Sequence, residues 1–523
     1  MTSMLHRALT ILAYIAALFL IGLLYWLFIC FCERDTDKHV DGIGVVGPEV
    51  REETKFASVD PERTEGAPYP AVEPVIPATF IPNESHINFP PIPIGPKRGE
   101  IEPKNPAISI TASGEDGDDW PSQKIDFNDY AEVDDVLPTI SNLGEVSVAE
   151  SGETIIMTGN TWMAFSEDAG GSFTYLNPTT IFPQSDGGLC CDQVVLYVPK
   201  YDLFVWLLQY RGMTAADGTN DNRIRVAVQS PEGVNSSNGT SWTYWDFPSN
   251  QFSANGGLDY NDMTATSANI YWNSMIAGGR VVVRLPLDQL VARTTVTYRY
   301  TAGTTAVFSH ITQNPNNQVY WAGLVNTSQM RVYNWPDGDN SYYSRTVNIN
   351  SWPNGSEVSI APDGTDWMQW EGGITTYVYG NALQGESVWF AWQAGQGGGF
   401  PHPHVQMVRL NASNFAFQEQ VQIWNPDHAF QDAFLSTNSG GELGMSIAFG
   451  GGPFYGSHAV GVWGDFIVYY PTLSTRSRTR WGDYNTSRRS GSNPREWVAG
   501  GYTLKTDGSG NNITVPHYIR FSR

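Results

Sequence analysis

The sequence predicts an all-β protein. Residues 139–523 form a β-propeller of six or seven blades, behind a membrane-crossing helix and a proline-rich linker. Three observations carry this. Short apolar or alternating runs recur, among them Thr154-Ile-Ile-Met, Leu203-Phe-Val-Trp-Leu-Leu, Arg280-Val-Val-Val-Arg and Ser387-Val-Trp-Phe-Ala-Trp, and no amphipathic helix interrupts them. The turns between them carry Gly, Asn, Asp and Pro, as in Pro336-Asp-Gly and Asn314-Pro-Asn-Asn, the residues that bend a chain at least cost. Finally, about 385 residues is too long for a simple sandwich, but suits six or seven blades of roughly 40–50 residues with long loops.

After a short tail, 1–7, comes an apolar run from Ala8 to Cys32 with no charge inside it. About 20 such residues cross a bilayer, and Tyr25 and Trp26 fall where aromatic rings favour the interface. The run reads as an uncleaved anchor, single-pass, with the C-terminal domain outside the cell. From 33 to 138 proline recurs (Pro68, Pro70, Pro74, Pro77, Pro82, Pro90, Pro91, Pro93), and no helix or strand period survives. This stretch is expected to be an extended, largely disordered acidic stalk. Blade starts are expected near Ser147, Asp192, Asp259, Ala306, Val358, Gln406 and Gly461, with 515–521 closing the ring against 145–149.

The net charge of −23 argues against nucleic acid as a partner. Four cysteines make no disulfide framework and no zinc spacing. Cys190 and Cys191 are adjacent; two buried thiols are the plainer reading, and a bond between them the strained one. Eight Asn-x-Ser/Thr sequons lie beyond the anchor, at Asn83, Asn235, Asn238, Asn326, Asn354, Asn411, Asn485 and Asn512, as a glycosylated extracellular face would have.

Ser166-Glu-Asp168-Ala-Gly170-Gly-Ser172-Phe173 has a carboxylate placed to accept backbone N–H groups in a tight turn. Gly170 and Gly171 allow positive φ, and Phe173 returns the chain to an apolar strand. The octet resembles the Asp-box of sialidase-like β-propellers. Residues 361–367 are a distant echo of it. Gly187–Gln193 with the strand that follows, and Arg480-Trp-Gly-Asp483-Tyr484, are similar to stretches of uncharacterised secreted members of that superfamily. The resemblance covers roughly 144–523. It implies a propeller with a ligand at the channel mouth and the box remote from it, and a carbohydrate or glycoconjugate as partner. It also carries departures. The Phe/Tyr-Arg-Ile-Pro segment of exo-sialidases is absent and the box occurs once, which counts against sialidase activity itself.

Polar residues that begin inner strands should converge at the mouth. Asp192 would be an acid or base there, with Gln193 beside it. Asp259 and Asp262 would form a carboxylate pair of the kind glycosidases use, flanked by Tyr260 and Asn261. His402 and His404 alternate onto one face; they would serve a lyase as base or hold a metal with Asp432 or His428. Gln431 and Asp432 are further binding candidates. Arg480, Asp483 and Tyr484 would hold an anionic sugar. Calcium at Glu115–Asp119 and zinc at the histidines are the only metals the residues suggest, and neither spacing is complete. Trp367, Trp370, Trp389 and Trp392 would stack on sugar or fill the core. Three functions stay open: glycoside hydrolysis, a non-catalytic recognition propeller, and polysaccharide elimination.

Overall fold

The computed structural model describes residues 44–64, 74–82, 90–94, 125–137, 144–214, 220–252, 257–369, 377–479, 481–482 and 485–523. They form seven antiparallel sheets of four or five strands and one small hairpin. The anchor expected over 8–32 lies outside the described residues. Among these, no helix is long and apolar enough to cross a membrane.

Each sheet is one blade of a β-propeller. The inner strands are Ser147–Ser151, Leu189–Val198, Asp259–Ala265, Val378–Gln384, Ala429–Thr437 and Thr486–Arg489, for blades 1, 2, 3, 5, 6 and 7. In blade 4 residues 309–313 take the inner place. They bridge in parallel to the inner strand of blade 5 at Ser309–Val378 and Gln313–Ala382, and Thr312 N donates to Tyr320 O on the next strand (3.0 Å). Blades are hydrophobic on both faces because each packs between two others. Twelve tryptophans are fully buried in this packing, Trp367, Trp389 and Trp392 among them, so these three fill core and do not stack on ligand; Trp370 lies outside the described residues.

The N-terminal stretch corrects an expectation. Where described, 44–132 is no free stalk; 44–93 runs round the rim against the order of the blades, and 126–132 returns to blade 7. Gly44–Glu53 adds an outer strand to blade 4, Lys55–Val59 to blade 3 and Glu62–Arg63 to blade 2. Val75 bridges Phe173 of blade 1, Thr79–Pro82 sits outside blade 7, and Pro91–Pro93 outside blade 6. Proline is tolerated because these are edge strands, where a missing N–H faces away from the ladder. Such strands need only backbone pairing, so they leave no apolar alternation to read, and they cover edges that would otherwise template aggregation.

Ring closure also differs from expectation. The last strand, Asn512–Ser522, pairs with Asp126–Glu132 and with Trp497–Thr506, not with 145–149. The closing strand is held by its side chains too. Phe127 packs edge-on to Tyr469 of blade 6 (5.7 Å), and Lys505 meets Glu132 at 3.1 Å.

The Ser166–Phe173 octet folds as its chemistry requires, in the turn between Met163–Ser166 and Thr174–Leu176. Asp168 Oδ1 accepts from Ser172 N and Ser166 Oγ (both 2.8 Å), and Oδ2 from Ser172 Oγ (2.7 Å). Ser166 Oγ in turn accepts from Gly170 N (2.9 Å). Positive φ falls on Ala169 and Gly170 (57° and 95°) and not on Gly171. The echo at 361–367 lies between blades 4 and 5, not at the same turn.

Candidate functional site: the channel mouth where inner strands begin

Inner strands enter the channel through irregular turns. In blades 2, 3 and 6 the register with the second strand slips, between Cys191 and Val194, Asp259 and Asp262, and Gln431 and Phe434. Within each slip one non-glycine residue takes the left-handed conformation: Asp192 (φ 45°), Tyr260 (53°) and Asp432 (55°). Glu145 does the same at the entry to blade 1 (42°). Such bulges re-aim side chains, and such backbone costs about 1–3 kcal/mol per residue. Four of them at one mouth mark it as the place where the fold accepts strain.

Three carboxylates gather there from three consecutive blades: Glu145, Asp192 and Asp259. Asp192 is buried. Its Oδ2 accepts from Tyr260 N (2.9 Å), and its own N–H donates to Asn160 Oδ1 (3.2 Å). Burial drives its carboxyl well above the usual range. The charges of Asp259 and Glu145 push the same way, as does a hydrogen bond shared with Asp259, against the pull of the Tyr260 amide. The protonated form of Asp192 is therefore the favoured one, within hydrogen-bonding reach of Asp259. Asp259 is the exposed member, and Gln209 Nε2 fixes it from behind (2.9 Å). The same nitrogen lies 3.4 Å from Cys191 Sγ. Cys190 and Cys191 are joined as a vicinal disulfide; the plainer reading of two thiols is corrected.

Beside the carboxylates stands an aromatic wall. Tyr260 stacks on His310 (4.8 Å) and meets Tyr377 edge-on (5.4 Å), while Phe308 stacks on Tyr377 (3.9 Å). Burial keeps His310 neutral, its imidazole lowered to about 4. Under the wall Arg280 is completely buried. It donates to Val307 O (2.8 Å), Tyr260 O (2.5 Å) and Asn273 Oδ1 (3.1 Å), and burial lowers it to about 10.

Several predicted residues stand elsewhere. Asp262 does not pair with Asp259. The bulge turns it into the channel, where it accepts from Ile311 N and Gln313 Nε2 (both 3.1 Å) and meets Arg488 (3.3 Å). Gln193 is a core amide, donating to Gly159 O (2.6 Å) and accepting from Trp206 Nε1 (2.9 Å). Asn261 is buried and donates to Gln209 Oε1, one layer below the mouth. Gln431 and Asp432 begin the inner strand of blade 6 and are buried. His404 is in the third strand of blade 5, stacked on Phe400 (3.9 Å), and burial lowers it to about 3. His402 is half-buried on a loop. Neither histidine reaches the channel, and the described residues hold no group of three or more His, Cys, Asp or Glu fit for a metal. The histidine-based lyase and zinc readings lose their geometry. Arg480, Asp483, Tyr484 and the acidic stretch 115–119 lie outside the described residues. Sequence reasoning missed Glu145, Gln209, Arg280 and Tyr377. Glu145 was legible as a polar residue before an inner strand; Arg280 was hidden in an apolar run.

No protein-family model matches this chain, and a search of curated proteins finds no relative. Solved structures do resemble it. An α-L-arabinofuranosidase, Arb93A from Fusarium graminearum, matches at 12% identity over 73% of this chain and 98% of its own (TM-score 0.34). The SapL1 lectin in complex with α-methyl fucoside matches at 10% over 65% and 99% (0.33). A subtype N11 neuraminidase-like protein of A/flat-faced bat/Peru/033/2010 matches at 11% over 64% and 74% (0.31). Likenesses this distant carry no argument about what the chain binds.

Proposed function

We propose that this protein is a sialidase-like propeller that binds carbohydrate at the mouth bordered by Glu145, Asp192 and Asp259. One observation supports it above the rest: Asp259, exposed, is held by the buried Asp192 and by Gln209, in front of a buried cluster of tyrosines. Acceptor carboxylates suit the hydroxyls of a sugar ring; the tyrosines behind them are buried, and of the aromatic cluster only Phe308 is half-exposed to offer a face to its C–H groups. The acidic side chains of Asp259 and Glu145 at the rim disfavour sialic acid and uronates, so the ligand in this reading is a neutral sugar. In this reading Asp259 accepts from the sugar hydroxyls, and Asp192 is a positioning residue that acts through it.

Hydrolysis is the second reading, with Asp259 as nucleophile or base. Two carboxyls flanking a glycosidic bond stand about 5–10 Å apart. The hydrogen bond between Asp192 and Asp259 sets them closer, which favours recognition without cleavage. Glycan-array binding of the purified protein, with a reducing-end assay on every glycan bound, separates the two. Binding of neutral glycans that Asp259→Asn abolishes, without new reducing ends, supports recognition. New reducing ends lost in that variant support hydrolysis. Failure to bind any neutral glycan sinks both.

The propeller is proposed to lie outside the cell, tethered by 8–32. A disulfide at Cys190–Cys191 suits an oxidising compartment, and the sequons at Asn326, Asn354 and Asn512 are exposed. Asn485 is buried and is not a glycan site. Protease added to intact cells should digest the propeller; protection would reverse the orientation.

A further inference from the structure

The inner strands end at the second mouth of the channel, and there the lining changes sign. A cavity of about 290 Å³ opens between the ends of the inner strands of blades 1, 2, 3, 4 and 7. Arg488 roofs it, and Asp262 balances that charge. Two more cations line it, Lys200 and Arg489. Lys200 Nζ donates to Ser267 O (2.8 Å). Arg489 donates to Thr437 O (2.9 Å) and Asn438 O (3.4 Å). Carbonyl oxygens satisfy hydrogen bonds without cancelling charge, and among the described residues neither cation has a carboxylate partner. Burial with no compensating acid lowers Arg489. The one acid on the lining is Glu150; it accepts from Ser492 Oγ and lies 3.9 Å from Arg520, so its charge is paired with a third cation outside the lining.

Two uncompensated cations at one cavity, in a chain of net charge −23, call for an anion. We infer that this second mouth binds the carboxylate of a sugar acid, with Arg489 and Lys200 as its counter-charges. A guanidinium matches a carboxylate edge to edge. The cavity is at the small end of ligand sites, the size for one ring, and the amides of Asn314 and Asn316 on the same rim offer neutral partners to ring hydroxyls. The site is independent of the acidic mouth, which repels the same ligand.

Calorimetric titration of the purified full-length protein with glucuronate, glucose and inorganic phosphate tests this. Glucuronate should bind saturably, and glucose at least about tenfold more weakly, as loss of a charge-assisted pair implies. Arg489→Gln and Lys200→Gln should each weaken glucuronate about tenfold, while Asp259→Asn at the other mouth leaves it unchanged. Arg489 also ties blade 7 to blade 6, so Lys200→Gln, an exposed residue, keeps the test open if the arginine variant fails to fold. No saturable glucuronate binding, binding unaffected by Lys200→Gln, or phosphate bound as tightly as glucuronate would each overturn the assignment.

Discussion

Arg488 of blade 7 lies 3.3 Å from Asp262 of blade 3. These blades are not neighbours, so the pair spans the channel axis. Arg488 also donates to Met263 O (3.0 Å) and to Gln313 Oε1 beside blade 4. One guanidinium thus ties three blades and divides the channel into an acidic mouth above and a basic one below. Both side chains are almost inaccessible, 4% and 2% exposed. Water cannot take over if one partner is lost.

Arg488→Met should therefore destabilise the propeller by about 3–5 kcal/mol, because it strands a buried carboxylate. Adding Asp262→Asn should recover part of that loss. Urea unfolding of the two variants measures it. Equal stability of Arg488→Met and the parent would mean that the strut contributes nothing.

Asp192 makes stability depend on pH with a stated sign. Its folded carboxyl titrates well above its unfolded one, so between those values the folded state holds the extra proton. Stability is full below the ordinary aspartate range and falls as pH rises through the folded value. Asn is isosteric with protonated Asp and keeps both hydrogen bonds. Asp192→Asn should thus gain on the parent above the window, by about 1.4 kcal/mol per unit by which the carboxyl is raised. Unfolding free energies at pH 4 and pH 8 test this; parallel profiles for parent and variant would contradict a buried, protonated Asp192.

Asp168→Ala should cost about 2 kcal/mol, from three hydrogen bonds at roughly 0.5–1.5 kcal/mol net each, discounted for exposure. It should leave glycan binding intact, since the turn is on the outer strands. Lost binding with unchanged stability would contradict a purely structural box.

How much of this the sequence held varies with the kind of signal. The hydrogen bonds of the Ser166–Ser172 turn were legible because they are local, although positive φ falls on Ala169 in place of the expected Gly171. Blade starts at Ser147, Asp192, Asp259 and Ala306 fell close to the inner segments, but those placed at Val358, Gln406 and Gly461 precede the true inner strands at Val378, Ala429 and Thr486 by 20–25 residues. The reason is the long connection between blades 4 and 5, whose Trp367 is buried against Gly450 and Gly456 of blade 6; an even spacing of blades cannot anticipate it. At the site, Asp192, Asp259 and Tyr260 were legible as polar residues opening apolar strands. Which carboxylates meet was not, because a register slip decides whether Asp259 or Asp262 faces the mouth. The rim strands were illegible for a different reason: an edge strand rich in proline has the composition of a linker.

That last point yields a prediction about chain boundaries. A fragment of 139–523 contains every blade read from the sequence, yet lacks the closing strand Asp126–Glu132. Phe127, Tyr130 and Ala131 are buried by that strand, and its loss leaves the whole edge of 517–522 unpaired. At about 1.5–3 kcal/mol for each large apolar side chain, the missing burial is comparable with the total stability of an ordinary domain, about 5–15 kcal/mol. The fragment should be insoluble. A fragment of 120–523 restores the closing strand but leaves the edges of blades 2, 3, 4, 6 and 7 bare, and should fold yet self-associate. Only 44–523, with the rim strands present, should behave as a monomer. Size-exclusion chromatography and thermal unfolding of the three decide it: a stable monomer from 139–523 would show that the rim strands are ornamental to the fold.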